Sequence, residues 1–329
     1  MEVVTKPTIK DIAAQSGVSI ATVSRVLGNK TGSYSQKTQK KVLKIAKELG
    51  YRKNSAAVDL VRKRTDVIAL IINATPTNFS TQIIDGIQQR AGELGQGVMI
   101  LYAGNRDHAL QHQAIITALE RSVTGILLAA IEPDEKDLTL LKDSRIPFCF
   151  VSLYLGTRDI LAVSSDNRDL AYQATQYLID HGHTQISLAG IDGYHTGSQR
   201  QAGYREAMAA NQLRAPAVLP GDYSYASGTS LLQAVRDQGV TAVIAASDMV
   251  AAGLLTAAHQ QGVRVPADLS IMSIDGTIIC QITTPALTSM TQDFYQIGSQ
   301  SVNKVLGQPA ADFVPVTVTE RDSVANLTR

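Results

Sequence analysis

Over the first fifty residues, apolar positions recur every three or four places. Ile9, Ile12 and Ala13 share one face of a helix expected over 9–16; Val23, Val26 and Leu27 define a second over 20–27. Val42, Ile45, Ala46 and Leu49 define a third over 35–49. Thr8 with Asp11 reads as a capping-box-like start, Ser19 and Ser35 as N-caps, and Gly17 and Gly50 as stops. After Thr65 the period changes. Unbroken apolar runs at 67–72, 97–101, 125–129 and 148–151 predict buried strands, with helices between them near 79–94, 109–121 and 134–143. A second series begins at about Asp166, with helices over 168–181, 198–210, 226–238 and 249–261. Its strands are expected at 186–189, near 218, at 242–245 and at 270–274. Such alternation predicts parallel sheets covered by helices on both faces, and two series of this size predict two similar lobes.

Charge separates the same two regions. The chain has 329 residues and a formal net charge of +1, but residues 1–65 hold fourteen Lys/Arg against four Asp/Glu, or +10. The remainder carries −9. A basic module on an acidic body points to a polyanionic partner. No apolar run approaches the roughly 18 residues that span a membrane. The N-terminal segment has no apolar signal core, so a cytoplasmic protein with no membrane partner is expected. Cys149 and Cys280 are too few for a disulfide framework. No P-loop, dinucleotide-binding glycine pattern or nucleophile elbow is found, which speaks against an enzyme, and no cofactor is expected. His108 and His112 lie one helical turn apart without the carboxylates or thiols that would complete a metal site, and read as a solvated face. His183, after Gly182, reads as structural.

Two helices joined by a glycine turn and supported by a third make a helix-turn-helix. The second helix then turns Ser19, Ile20, Ala21, Thr22, Ser24 and Arg25 outward. Hydroxyls and free N–H groups at a helix start suit phosphate oxygens. Arg25 can bind guanine O6 and N7 together, and Ile20 and Ala21 can touch a thymine methyl. Double-stranded DNA is the expected partner.

In the body, ligands of doubly wound sheets bind beyond the carboxyl ends of strands. Two lobes would bring those ends together across a cleft that closes by hinge motion. The candidates are Ser152, Ser247 with Asp248, and Asp275 at strand ends, with Arg200 opening the helix after 193–197. A guanidinium opposite a carboxylate, beside the aromatic faces of Phe79 and Tyr223, suits a polyhydroxylated ligand.

The run Thr8-Ile9-Lys10-Asp11-Ile12-Ala13, Gly17-Val18-Ser19, Thr22-Val23-Ser24-Arg25-Val26-Leu27, Lys37-Thr38, Leu49-Gly50-Tyr51 and Asn54 resembles the headpiece of the lactose/galactose repressor family of bacterial transcription regulators. The resemblance implies that Thr8, Ser35 and Asn54 join the helix residues at the DNA. It also implies a hinge helix over 54–62 that forms only on operator DNA, with Leu60, next to the small residue Ala57, entering the minor groove as an apolar wedge. Lys53 stands where the family usually has proline, and Val58 where arginine is frequent. Gly182-His183, Arg200-Gln201-Ala202-Gly203-Tyr204, Ser247-Asp248, Ile274-Asp275 and Thr291-Gln292-Asp293-Phe294 extend the likeness through the body, which is similar to periplasmic sugar-binding proteins. By that likeness Arg200 and Asp275 bond sugar hydroxyls, Ser247 and Gln292 assist, Tyr223 stacks on the ligand, and Phe79 and Ser80 line the first lobe. Ala129 and Ser152 stand where some sugar-responsive members carry amides or carboxylates.

The expected protein is thus α/β. A small all-α helix-turn-helix headpiece (1–53) and a hinge (54–65) precede a two-lobed, periplasmic-binding-protein-like body (66–329). The first lobe is expected over 66–163 and 292–320, the second over 164–291 and 321–329. With no leucine-heptad tail, a homodimer on a pseudo-palindromic operator is expected. The function that follows is repression of a sugar-utilisation operon, relieved by a sugar or sugar phosphate. A corepressor-dependent regulator (a purine, or a phosphorylated carrier protein as partner) is the first alternative, and a sugar-binding transport receptor an alternative of another class.

Overall fold

Three short helices form where the sequence pattern places them: α1 (Ile9–Ser16), α2 (Ile20–Leu27) and α3 (Gln36–Glu48). Ile12, Val23, Val26, Val42, Ile45 and Ala46 meet in a small buried core, with Leu27, Leu49 and Tyr51 packed against it. Asp11 accepts from the Thr8 N–H at 2.7 Å and its hydroxyl at 2.8 Å, Ser19 caps α2 by accepting from Thr22 N, and Ser35 caps α3 by accepting from Thr38 N. Gly17 adopts the left-handed conformation (φ 67°) that lets the chain turn sharply between α1 and α2, where a side chain would be strained. The computed structural model describes residues 7–28, 34–51, 65–73, 77–157 and 159–328. They fall into two units, within Met1–Lys63 and Arg64–Arg329.

In the second unit the first sheet has the order β2 (Gly97–Tyr102), β1 (Val67–Ile72), β3 (Gly125–Ala129), β4 (Phe148–Val151), β5 (Leu161–Val163), all parallel. Helices α4 (Ser80–Glu93), α5 (His108–Glu120) and α6 (Glu135–Asp143) connect its strands. The chain crosses to the second lobe with α7 (Asn167–Asp180), followed by β6 (Ile186–Ile191), α8 (His195–Ala210), β7 (Leu219–Pro220) and α9 (Tyr225–Asp237). Next come β8 (Ala242–Ala245), α10 (Asp248–Gln260), β9 (Ser270–Asp275), α11 (Ile279–Ile282) and β10 (Thr288–Gln292). The chain then returns to the first lobe as α12 (Phe294–Val305).

α12 lies on α4 at very close range. A Cβ added to Gly86 would sit 2.1 Å from the Tyr295 carbonyl oxygen, and one added to Gly298 would sit 2.3 Å from that of Ile83, so neither position admits a side chain. The last strand, β11 (Val316–Thr319), corrects the expected lobe boundary. It pairs antiparallel with β10 at the edge of the second sheet, β11-β10-β9-β8-β6-β7, although residues up to 320 were expected in the first lobe. The reason is packing: Val314 is still buried in the first lobe's core, whereas Val316 packs in the second's, so the chain recrosses between them. This edge strand is also the departure from an all-parallel body.

Cys149 and Cys280 are free and buried, and burial pushes the Cys149 thiol up to about 12, too high for a reactive thiolate. His183 is a structural residue, its Nδ1 2.9 Å from Thr241 Oγ1 and its Nε2 3.2 Å from the Ala325 carbonyl. His112 is engaged by Asp137 at 2.5 Å rather than merely solvated.

Candidate functional site

The outer face of α2 presents Ser19, Ile20, Ala21 and Ser24 to solvent, with Thr22 and Arg25 half-buried. Ile20 is 50% exposed, an unusual place for a large apolar side chain in so small a unit. Ser19 and Thr22 share a hydroxyl pair at 2.9 Å, and Arg25 folds back so that its Nε donates to the Ala21 carbonyl at 3.2 Å. Ser35 and Thr38 form a matching hydroxyl pair at the start of α3. The starts of α2 and α3 thus each carry an exposed hydroxyl pair, and α2 adds the exposed Ile20. Asn54, Ala57 and Leu60 lie outside the described residues.

A cavity of about 240 Å³ opens in the second unit at the carboxyl ends of both sheets. That is the place a doubly wound fold prescribes. Phe79, Ser152, Arg200, Tyr223, Asp275 and Gln292, all expected from sequence, line it. Ser80 and Ser247 do not appear on its lining. Ser80 begins α4, and Ser247 is fully buried beneath Tyr223, capping α10 through Val250 N and donating to the Tyr223 carbonyl at 2.8 Å. Arg200 also sits differently from expectation. It lies a turn and a half into α8, because that helix begins at His195 rather than at about 198.

Arg200 is held from three sides: Nε donates to Asn167 Oδ1 at 2.8 Å, Nη1 donates to the Ala246 carbonyl at 2.7 Å, and Nη2 stands 3.8 Å from Asp275 Oδ1. Its guanidinium carbon lies 5.8 Å from the Tyr223 ring centroid. Asp275 is almost entirely buried and accepts from Gln292 Nε2 at 2.8 Å. Burial pushes its carboxyl up to about 8, against the pull of Arg200 and Gln292 and with Asp248 adding to the rise. Burial likewise raises the Tyr223 phenol.

The backbone around this cavity is unusual. Arg106, Ala130, Ser152, Tyr223 and Asp275 all line it and all have positive φ, at 55°, 52°, 60°, 65° and 117°. For residues other than glycine such conformations each cost on the order of 1–3 kcal/mol and gather where function demands them. Sequence could not show this, because none of the five positions is glycine or asparagine.

Several lining residues were not expected. From the first lobe come Asn73, Gln111, Arg106 and Glu132; from the second come Asp192 and Asp222. Phe294 stacks on Phe79 with ring centroids 4.7 Å apart and carries it into the cavity wall. Arg106 crosses to the other lobe, forming a short ion pair with Asp192 and lying 3.9 Å over the Tyr194 ring. Burial opposes its charge, but the bond to Asp192 outweighs that and raises its pKa. Position at a strand end was the available signal: Asp192 follows β6 directly, as Asp275 ends β9.

Among the described residues no helix is long and apolar enough to cross a membrane, and no cluster of His, Cys, Asp and Glu could hold a metal ion.

Residues 8–54 match the family of bacterial regulatory proteins described as the lacI family, and residues 175–324 match a periplasmic binding protein-like domain. The chain is 32% identical over 302 residues to the HTH-type transcriptional regulator DegA of Bacillus subtilis, covering 90% of this chain and 89% of DegA. It is 30% identical over 335 residues to the transcriptional repressor PurR of Escherichia coli, covering 97% of each. Among solved structures, a lac repressor dimer bound to operator and the anti-inducer ONPF matches with a TM-score of 0.88 at 28% identity, covering 98% of this chain and all of that one. A complex of the regulator CelR with cellobiose matches with a TM-score of 0.71 at 28% identity, covering 96% and 99%. The helix-turn-helix core, the two-lobed body and these likenesses agree over nearly the whole length: the chain belongs to the lacI family of bacterial regulatory proteins.

Proposed function

We propose that this regulator binds a pseudo-palindromic operator as a homodimer through the α2 face, represses a sugar-utilisation operon, and is released when a sugar occupies the interlobe cleft. The observation that carries the reading is the cavity itself, where strand ends from both lobes meet around the buried Arg200–Asp275 pair. A ligand there touches both lobes at once, so it couples to their closure. The CelR–cellobiose complex and the operator-bound lac repressor dimer support sugar, DNA and dimer respectively.

On this reading Ser19, Thr22, Ser24, Thr8 and Ser35 hold phosphates. Arg25, Ile20 and Ala21 read base edges, and Asn54, Ala57 and Leu60 act at the minor groove. Phe79 and Tyr223 offer apolar faces to the sugar ring, while Asp275, Arg200, Gln292 and Ser152 take its hydroxyls. Ser80 and Ser247 support the wall without touching the ligand. The protein acts in the cytoplasm and catalyses no reaction.

Ligand and operator must weaken each other's binding by the same factor. The test is to titrate labelled palindromic DNA from the protein's own promoter, then add sugars. Release by a sugar, with an equal loss of sugar affinity on the DNA complex, is expected. Tighter DNA binding on addition of a purine would instead mark a corepressor and overturn the inducer reading.

A further inference from the structure

Anions bind readily at helix N-termini, and several helices begin at this cleft. At the starts of α5, α8 and α9 the protein's own carboxylates already accept from backbone N–H groups. Asp107 accepts from the N–H groups of Ala109 and Leu110 at the head of α5, both at 3.0 Å. At the head of α8, Asp192 accepts from Tyr194 N at 3.1 Å, and Glu132, from the opposite lobe, reaches His195 N at 3.4 Å. Ahead of α9, Asp222 accepts from the Ser224 N–H at 3.1 Å and its hydroxyl at 2.6 Å, which holds Asp222 below the usual carboxylate range. Among the described helices starting at the cavity, α4 alone lacks such a group, its N-cap Phe79 making no side-chain bond.

The cations are equally committed. Two guanidiniums line the cavity, Arg106 and Arg200, against four carboxylates: Glu132, Asp192, Asp222 and Asp275. Arg106 is taken by Asp192, and Arg200 by Asn167, Ala246 and Asp275. Even with Asp275 protonated, three carboxylates face two guanidiniums. A dianionic phosphate brought here would find Arg106 already paired with Asp192 and would meet a lining with more carboxylates than guanidiniums in a partly desolvated space.

Among the described lining residues, the one fully buried side-chain polar atom without a partner is an acceptor. Gln111 is 3% exposed and its Oε1 has no partner, while its Nε2 is fixed by donation to Asn73 Oδ1 at 3.2 Å. Asn73 is in turn anchored, its Nδ2 donating to the Ala130 carbonyl at 2.8 Å. A buried acceptor held in place without a donor is costly unless something supplies one. Sugar hydroxyls donate; a phosphate dianion does not.

Resting on the reading of the cleft as a sugar site, we propose that it selects an uncharged sugar and rejects the phosphorylated form, with Gln111 Oε1 accepting from a ligand hydroxyl on the first-lobe wall. The test uses the full-length protein and calorimetric titration with matched pairs: glucose, fructose, ribose, galactose and cellobiose against their monophosphates. At least one neutral sugar should bind, with its phosphate ester at least tenfold weaker. Gln111→Leu, its fold checked by circular dichroism, should weaken the neutral sugar by tenfold or more. Glu132→Gln should narrow the gap between the two members of a pair. An ester that binds as tightly as its parent sugar, or more tightly, overturns the charge selection and leaves the sugar reading standing. Unchanged affinity in Gln111→Leu overturns the role of Gln111. A panel in which no sugar of either kind binds overturns both the selection and the sugar reading beneath it.

Discussion

The α2 face and the cleft hold their polar atoms in opposite ways. On α2 every bond to a candidate residue is local: Ser19 to Thr22, three positions apart, and Arg25 to Ala21, four apart. In the cleft, Arg200 reaches partners 33 and 46 positions away, and Arg106 meets Asp192 at a separation of 86. The first surface is built by one helix and is solvated. The second exists only after two sheets have formed and met. A site of the first kind answers to local helix chemistry and ionic strength, and one of the second kind to burial and charge pairing.

Salt should separate the two most widely. If the α2 face and the lysine-rich headpiece neutralise six to ten phosphates, operator affinity should fall by about 10³–10⁵-fold between 50 and 200 mM salt. Binding of an uncharged sugar releases no counterions and should scarcely respond. Fluorescence anisotropy with DNA and calorimetry with sugar, over one salt series, measure both. A flat DNA response would end the description of the headpiece as an electrostatic reader.

Arg200→Ala comes next. Removing the guanidinium leaves the buried Asn167 amide oxygen and the Ala246 carbonyl without their donor, at roughly 1–3 kcal/mol of stability for each. The body's Tm should fall and the sugar response vanish, while below the transition the variant still binds operator. Burial of Asp275 sets a pH dependence, against the pull of Arg200. Asp275 has its folded-state pKa raised to about 8 from an ordinary 3.8, so between those values the folded body holds a proton that the unfolded chain has released. Its contribution is complete below about pH 4 and is lost as pH rises through 8. Thermal melts from pH 5 to 9 should show the wild type losing stability that Asp275→Asn, which has no proton to lose, retains. Parallel curves would show that Asp275 does not titrate in this range.

Arg25→Ala should cost roughly 1–3 kcal/mol of discrimination between the operator and a single-base variant at its contact. Ligand affinity should not change. Competition binding with both DNAs checks this, and equal loss on all sequences would make Arg25 a phosphate contact instead.

How much of this was legible in sequence follows from the same contrast. The three headpiece helices begin and end where their caps and apolar periods place them, because caps and periods are properties of neighbouring residues. Strand order was accessible only as a class: unbroken apolar runs imply buried parallel strands, yet nothing in Val316–Thr319 says that it pairs antiparallel with Thr288–Gln292. Its alternating polar threonines suit an edge strand but do not choose the edge. In the cleft, Asp275 and Ser152 could be read because they end or follow apolar strands. Ser247 has the same position yet points inward, since the hydroxyl that looked available for a ligand is the cap of α10. Gln111 and Arg106 carried no local signal. A glutamine inside a helix acquires meaning only when Asn73, beyond the end of β1, fixes it, and an arginine in a loop only when Asp192 of the opposite lobe arrives.

The smallest expected effect compares two serines that serve the same local purpose. Ser19 and Ser247 are both N-caps, each accepting from a backbone N–H three residues on. Replacing a capping serine by alanine costs roughly 0.5–2 kcal/mol, typically about 1. Ser19 is exposed and its loss should end there, as a small fall in headpiece stability seen by circular dichroism, accompanied by weaker DNA binding. Ser19→Asp divides the two consequences, because aspartate caps as well as serine but places a negative charge where phosphate is expected: stability should hold and DNA affinity should fall. Ser247 is buried and also holds the Tyr223 carbonyl, so Ser247→Ala removes a bond that shapes the cleft wall. Its cost should exceed that of Ser19→Ala and should reach sugar affinity without any ligand contact. If both alanine variants cost the same and neither changes ligand binding, Ser247 is a cap and nothing more.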